Sequence, residues 1–307
     1  MKRVLVTGAS GFIGSHALSA LLDLGYEVHA VGRRSQVGAG VRWHAADLLD
    51  PKVAFPLLTA VKPTHLLHLA WYAVHGKFWT STENARWVEA TRILLEAFHR
   101  VGGQRVVAAG SCAEYDWTAG RCDEDCTALA AATEYGRCKN RAWEQMQAFS
   151  HQAAIDVAWA RVFHLYGPHE PPTRFVAAVV LALLRDQDAL CTEGGQLRDF
   201  LHVADVASAF CALLDSHVTG AVNLGSGQAV TLAEIAHRIA DVIGRPHRIK
   251  LGARPMSSDD PRVLLPVLRR LTQSVGWTPR YDLNTGLQNT VDWWRKELDT
   301  NVGGCTS

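Results

Sequence analysis

The sequence predicts an α/β protein in which a doubly wound parallel sheet carries a smaller C-terminal α/β unit. Three observations lead there. Short apolar strand patterns alternate with helical ones through the first half of the chain, as in a parallel sheet covered on both faces. A glycine-rich turn, Thr7-Gly8-x-x-Gly11-x-x-Gly14, joins the first strand to the first helix. The 307 residues, 48% of them hydrophobic, suffice for two domains or one large α/β unit with a sizeable core.

Val4-Leu5-Val6 opens the series as a strand over 2–7, and Phe12 and Ile13 with Ala17, Leu18 and Leu21 set an amphipathic helix over 12–24. A glycine turn between such elements lets backbone N–H groups approach a pyrophosphate at the helix N-terminus. Gly8 suits the tight turn, Gly11 the approach of phosphates, and Gly14 the close packing of helix on strand. Further strands are expected at 27–32, just before Asp47, and at 65–70, 105–110 and 155–162, with helices at 84–100 and 133–150. After Gly167-Pro168 the pattern loosens into a helix at 174–186, strands at 189–192 and 221–224, and helices at 205–215, 231–243 and 284–298. There is no low-complexity linker and no internal repeat. Residues 1–166 are therefore expected to form a dinucleotide-binding domain. Residues 167–307 should form a substrate domain packed closely on it, with some interleaving of the chain and a cleft between the two.

Tyr135 and Lys139 lie four apart in the helix expected at 133–150, hence on one face about one turn apart. In that position an ammonium lowers a phenol pKa that is ordinarily about 10, making Tyr135 a usable acid or base. Ser111 follows the strand at 105–110, where a parallel sheet delivers side chains to the cleft, and its hydroxyl suits the substrate oxygen that Tyr135 protonates or deprotonates.

The end of the second strand reads Val31-Gly32-Arg33-Arg34-Ser35, with no acidic residue to accept from ribose hydroxyls. Two guanidinium forks at Arg33 and Arg34 suit a 2′-phosphate, so NADP is the expected cofactor and NAD the alternative. Asp47-Leu48 follows the presumed third strand, where Asp47 can serve as a turn or cap residue. The formal charge of +1 points to neither nucleic acid nor an anionic membrane surface. No basic segment with an apolar stretch opens the chain and no run approaches the length of a membrane span, so a cytoplasmic location is expected. Cys122-x-x-x-Cys126 is the one close cysteine pair with zinc-like spacing, and with no second pair a metal is not expected.

TGASGFIG (7–14), HLAW (68–71), GSCAEY (110–115), YGRCK (135–139), RVFHLYGP (161–168), RDFLHVADVA (198–207) and VNLGSG (222–227) occur in that order. The chain in this respect resembles the extended short-chain dehydrogenase/reductase superfamily, in its branch of NAD(P)-dependent nucleotide-sugar epimerases, dehydratases and ketoreductases. The resemblance implies a Rossmann-type sheet, a nucleotide-sugar substrate, and catalysis by Ser111, Tyr135 and Lys139, with Lys139 also binding the nicotinamide ribose. It further implies that Thr7, Gly8, Gly11, Phe12, Ile13, Gly14, Leu69, Ala70 and Phe163 line the dinucleotide, and that Asp47 and Leu48 meet its adenine, the alternative for Asp47 being the turn or cap role. Trp71, Cys112, His164, Arg198 and Arg254 would meet the substrate, Arg198 at its pyrophosphate.

The departures bear on the reaction. Trp87 stands where the family has a relay asparagine, with Asn84 one turn earlier, and His164 replaces another asparagine. Family dehydratases carry acidic residues one or two positions after the catalytic serine, whereas this chain has Cys112 and Ala113, and Glu114 would point to the other face of a continuing strand. The cysteine–histidine pair of GDP-fucose-type epimerase-reductases is out of register at Cys112 and replaced near Ala178. An NADP(H)-dependent 4-ketoreductase of a nucleotide-linked 4-keto-6-deoxysugar is therefore expected. An NAD-dependent 4-epimerase is the alternative, and a non-enzymatic dinucleotide-binding protein comes third. Asp199 reads as orienting a neighbouring side chain and Asp205 as a helix N-cap. Trp87, Val88, Phe98, Trp143, Met146 and Phe149 exceed one apolar stripe on the helices at 84–100 and 133–150, which suits either core packing or a homodimer of the kind family members form through these helices.

Overall fold

The computed structural model describes residues 2–34 and 40–303, the last three as backbone. Ser35, the end of the stretch read for cofactor choice, lies outside the described residues. Along the chain the elements are β1 (Arg3–Thr7), α1 (Gly14–Asp23), β2 (Glu27–Gly32), β3 (Val41–Ala45), α2 (Ala54–Val61), β4 (His65–His68), α3 (Glu83–Arg100), β5 (Arg105–Ser111), β6 (Arg121–Cys122), α4 (Glu134–Ala153) and β7 (Asp156–Val162). Then follow β8 (His164–Tyr166), α5 (Phe175–Leu184), β9 (Ala189–Leu190), β10 (Leu197–His202), α6 (Val203–Asp215), β11 (Gly220–Leu224), β12 (Ala229–Thr231), α7 (Leu232–Ile243), β13 (Ile249–Lys250), β14 (Val263–Pro266) and α8 (Leu283–Gly303).

Seven strands form one parallel sheet in the order β11-β7-β5-β4-β1-β2-β3. The alternation of side chains sorts β1 between two cores. Val4 and Val6 pack with α1 and α6 on one face, and Leu5 packs with α2, α3 and α4 on the other. The strand order reverses at β1, between β2 and β4, so the crevice for a ligand opens beyond the carboxyl ends of β1 and β4. A third core, built from α5, α7 and α8 with Tyr166 and Phe200, forms the remaining unit. The chain leaves the large sheet after β7 and comes back to it, since α6 packs on α1 and β11 pairs with β7. Residues 203–224 thus belong to the sheet's layers although they follow the expected boundary at 166.

Local chemistry sets the element ends near the site. Thr133 caps α4 by accepting from the Gly136 N–H at 3.1 Å, which fixes where Tyr135 and Lys139 fall. Helix α6 begins earlier than expected and is capped by His202, not Asp205. The Asp205 carboxylate instead accepts from the backbone N–H groups of Arg280 and Tyr281, tying the C-terminal segment down. Asp199 likewise holds backbone, accepting from the Ser226 and Gly227 N–H groups at 2.6 and 2.7 Å, with the Ser226 hydroxyl also close enough to act on its carboxyl. On α3 and α4, Val88, Phe98, Trp143 and Met146 are buried within the chain, and only Trp87 and Phe149 of that set stay half-buried.

Candidate active site

The turn after β1 has the shape its glycines require. Gly8 adopts φ +67°, and a Cβ there would sit 2.7 Å from the Ala70 nitrogen. A Cβ on Gly14 would sit 2.2 Å from the Gly8 carbonyl oxygen and 2.8 Å from Ala9 Cα, so Gly14 seats α1 on the turn itself and not on the strand. Gly11 donates to the Gly8 carbonyl at 2.9 Å, and that oxygen is the one atom a Cβ on Gly11 would approach. Its outer side is open for a phosphate, which is the fit a dinucleotide needs. Thr7 Oγ1 accepts from the Ala70 N–H at 3.1 Å and bonds His68 Nδ1 at 2.7 Å, locking the β1 and β4 ends together beside Leu69 and Ala70. Phe12 and Ile13, at the start of α1, are half-buried against the first core.

Arg33 and Arg34 are exposed at the end of β2 and take part in no ion pair among the described residues. Asp47 is exposed and accepts from the Leu49 N–H at 3.1 Å, the turn reading of the two left open, while Leu48 packs on the second core.

Ser111 ends β5, and Tyr135 and Lys139 approach it from α4. The Ser111 hydroxyl lies beside the Tyr135 phenol, near enough to draw its pKa down. Lys139 is buried, donates from Nζ to the Ala109 carbonyl at 2.7 Å, and lies 3.7 Å from the centre of the Trp71 ring. Burial pulls its pKa down to about 7, with Glu114 opposing. The phenol does not behave as the spacing suggested. Burial holds Tyr135 above its ordinary value, and Ser111, rather than the ammonium, is the main group drawing it back. The Lys139 ammonium is turned to Ala109 and Trp71 and stands 5.8 Å from the Tyr135 ring centre.

An aromatic wall covers Tyr135. Phe78 meets its ring edge-on at 4.8 Å and Trp79 at 5.9 Å, and the Tyr135 N–H donates to the Trp79 carbonyl. Asn84 holds this segment in place, donating to the Phe78 and Ser81 carbonyls and accepting from Trp71 Nε1 at 2.8 Å. Asn84 therefore positions Trp71 and the wall, and no hydrogen bond links it to Lys139. The aromatic run Trp71 to Trp79 was the sequence signal for this wall.

Residues 4–225 match the family described as NAD dependent epimerase/dehydratase family. The chain belongs to that family. It is 30% identical over 322 residues to dTDP-4-dehydro-6-deoxy-D-allose reductase of Streptomyces bikiniensis, covering 96% of each chain. It is 29% identical to UDP-glucuronic acid decarboxylase 1 of Xenopus tropicalis, covering 97% of this chain and 73% of the relative. Among solved structures, MoeE5 in complex with UDP-glucuronic acid and NAD is 32% identical, with a TM-score of 0.83 over 96% of this chain and 99% of that one. The UDP-glucose 4-epimerase of Thermotoga maritima, 21% identical over 96% of this chain and 99% of that one, shares the fold with a TM-score of 0.85.

Within this family frame the remaining residues separate. Cys112 lies against the Ser111 hydroxyl, its thiol pushed up to about 12 by burial and by Cys122. His164 is held neutral, its pKa driven to about 3 by burial and by Arg198 and Arg174, and its Nδ1 has no partner among the described residues. Arg198 is buried near both, with its guanidinium on Asp260 Oδ1 at 2.5 Å and on the Pro261 carbonyl at 2.7 Å. Of two further expected residues, one borders the group through Cys112 and the other lies beside the β9–β13 pair. The Phe163 ring is buried with Tyr115, Cys122 and Leu264, where the chain passes from β7 to β8, in a small core against which Cys112 and Trp117 pack. Arg254 is exposed beside Cys191, next to the β9–β13 pair.

One polar residue of the site, Arg174, escaped the sequence reading, and another was read only on the condition that β5 continues. Arg174, at the start of α5, donates to Glu170 Oε1 at 2.9 Å and to the Leu165 carbonyl at 3.2 Å. It lies 5.8 Å from the Phe12 ring and close enough to act on the charge of Tyr135, His164 and His75. Glu114 is the other. Strand β5 does not continue past Ser111 but turns into a short 3-10 segment, Cys112–Glu114, which carries the carboxylate back under the sheet. Among the described residues no group of three His, Cys, Asp or Glu side chains is placed to hold a metal ion, and no helix is long and apolar enough to cross a membrane.

Proposed function

We propose that the protein is an NADP(H)-dependent oxidoreductase acting at C4 of a nucleotide-linked sugar, reducing a 4-keto-6-deoxysugar to the alcohol. The observation that carries this reading is Tyr135, held as the phenol beside Ser111, with no free carboxylate next to the pair among the described residues. Glu114, the nearest acid in sequence, is fully buried and committed to Ser111 N, Trp159 and Arg161. Removal and return of a proton at a neighbouring carbon, which dehydration requires, finds no free acidic residue beside the pair among the described residues. Ketone reduction asks less of the protein. The bound dinucleotide supplies hydride when loaded at the glycine turn. Ser111 and Tyr135 orient and polarise the carbonyl oxygen, Tyr135 gives it a proton, Lys139 supports the phenol as it gains charge, and Trp71, Phe78 and Trp79 exclude water. The nearby reductase, 30% identical, supports this direction. Arg33 and Arg34 support NADP(H), while the NAD held by MoeE5 supports the alternative cofactor.

A second reading rests on Arg174. A guanidinium beside Phe12 and Tyr135 matches a carboxylate on the sugar, and MoeE5 was solved with UDP-glucuronic acid. Under this reading the protein is a 4-epimerase of a nucleotide-linked uronic acid. Turnover of a panel separates the two. A 4-keto-6-deoxysugar nucleotide should consume NADPH in proportion to product. Interconversion of a uronic acid nucleotide with its 4-epimer, without net cofactor change, favours the second reading. No turnover of either class overturns both.

A further inference from the structure

We propose that Glu114 is a positioning residue for catalysis, a buried carboxylate that fixes the backbone bearing Ser111 and is the counter-charge keeping Lys139 an ammonium. The inference rests on the hydride-transfer reading of the Ser111–Tyr135–Lys139 group and assigns that group a charge partner behind it.

The carboxylate is fully buried yet takes three kinds of donor. Its Oε1 accepts from the Ser111 N–H at 2.7 Å, its Oε2 accepts from Arg161 Nε at 2.7 Å, and Trp159 Nε1 reaches both oxygens at 3.0 and 2.9 Å. Ser111 in turn accepts from Ala113 N, so the last residue of β5 is clamped from both its backbone and its hydroxyl. Gly110 makes room for the arrangement. A Cβ there would lie 2.3 Å from Trp159 Nε1 and 2.8 Å from Glu114 Oε1, so no other residue admits the indole and the carboxylate against the strand.

The same indole faces Lys139, whose Nζ is 5.6 Å from the Trp159 ring centre. The groups around that ammonium are few. His68 of β4 is held neutral by burial, Tyr135 on α4 is held as the phenol, and Trp71 offers a ring face. Arg161 of β7 adds a second cation, and Glu114 is the negative group that acts on Lys139. One carboxylate is thus shared between two buried cations. A fold that needed only an anchor for Ser111 N would be served by a neutral acceptor, without the cost of desolvating a charge. With the charge removed, Lys139 and Arg161 would be left buried together, and the lysine is the one that gives up its proton.

The experiment compares full-length protein with Glu114→Gln, which retains an acceptor for Ser111 N, and with the double variant Glu114→Gln/Arg161→Met, which removes both buried charges and so guards against a misfolded single variant. Two readouts are taken between pH 5 and 9, after circular dichroism establishes folding. One is the pH profile of kcat on the active substrate. The other is the Lys139 titration, followed by NMR of 13Cε-labelled lysine and assigned with Lys139→Met, which needs no turnover. Glu114→Gln should move both the Lys139 titration and the basic limb of kcat down by about one pH unit, a roughly tenfold loss at the basic end with KM little changed. The double variant should shift the same way by less. A uniform loss at every pH, or a Lys139 titration that superimposes on that of the unmutated protein in a folded variant, overturns the proposal. Absence of turnover by the unmutated protein would defeat the hydride-transfer reading alone, and the NMR titration would still decide the role of Glu114.

Discussion

Gly14→Ala tests the dinucleotide site through backbone geometry alone. The added methyl would lie 2.2 Å from the Gly8 carbonyl oxygen and 2.8 Å from Ala9 Cα, well inside the 3.4 Å at which ordinary contact begins. Both neighbours are backbone, so no side chain can swing aside and either the turn or the start of α1 must move by about an ångström. Overpacking of this kind costs about 1–3 kcal/mol, which in a chain of this size lowers Tm by roughly 2–4 °C per kcal/mol. The displaced atoms are those that carry the phosphate-facing N–H groups, so dinucleotide affinity should fall at least about tenfold, the equivalent of ~1.4 kcal/mol. Gly195→Ala is the control, because its Cβ meets nothing within 4 Å. The assay pairs a thermal melt with titration of NADPH followed by protein fluorescence. If both alanine variants bind NADPH as the unmutated protein does, the turn is not where the phosphates sit.

Three other outcomes follow from named residues. Arg33→Asp should reverse a preference for NADPH over NADH, and equal affinities of the unmutated protein for the two would count against Arg33 and Arg34 as 2′-phosphate ligands. Lys139 is depressed from 10.5 to about 7 in the folded chain, so between those values the unfolded chain binds the extra proton and stability rises with pH. Lys139→Met should flatten the pH dependence of urea unfolding across that window, and an unchanged slope would remove the lysine from it. Under the second reading of function, Arg174→Gln should raise KM for a uronic acid nucleotide at least about tenfold while leaving the neutral hexose nucleotide within about twofold. Equal effects on both would assign Arg174 to the fold.

Much of the site was legible because its chemistry is local. Gly8, Gly11 and Gly14 are tied to one turn, and Tyr135 and Lys139 to one helical repeat, so spacing places them without knowledge of the rest. The long strands and helices of the sheet were legible for the same reason. Helix α2 was not, because AFPLLTAV is apolar nearly all round and offers no polar face to set a period. Strand β10 was hidden by Arg198 and Asp199, two charged residues buried on a short strand through partners more than twenty residues away. Asp205 looked like a cap because its true partners, Arg280 and Tyr281, lie over seventy residues on. Glu114 could not be placed while β5 was taken to continue. Its capping of Ser111 ends the strand, and its meeting with Trp159 and Arg161 depends on the pairing of β5 with β7.

In the proposed reaction Tyr135 passes the proton while hydride is transferred at the sugar. Tyr135→Phe removes one hydroxyl and little volume, so it should leave the melt and the NADPH titration nearly unchanged. On the substrate class that the unmutated protein turns over, kcat should fall by about 10²–10⁴-fold, the usual contribution of a placed general acid. Turnover within about tenfold of the unmutated protein, with folding and NADPH binding intact, would remove Tyr135 from the proton transfer.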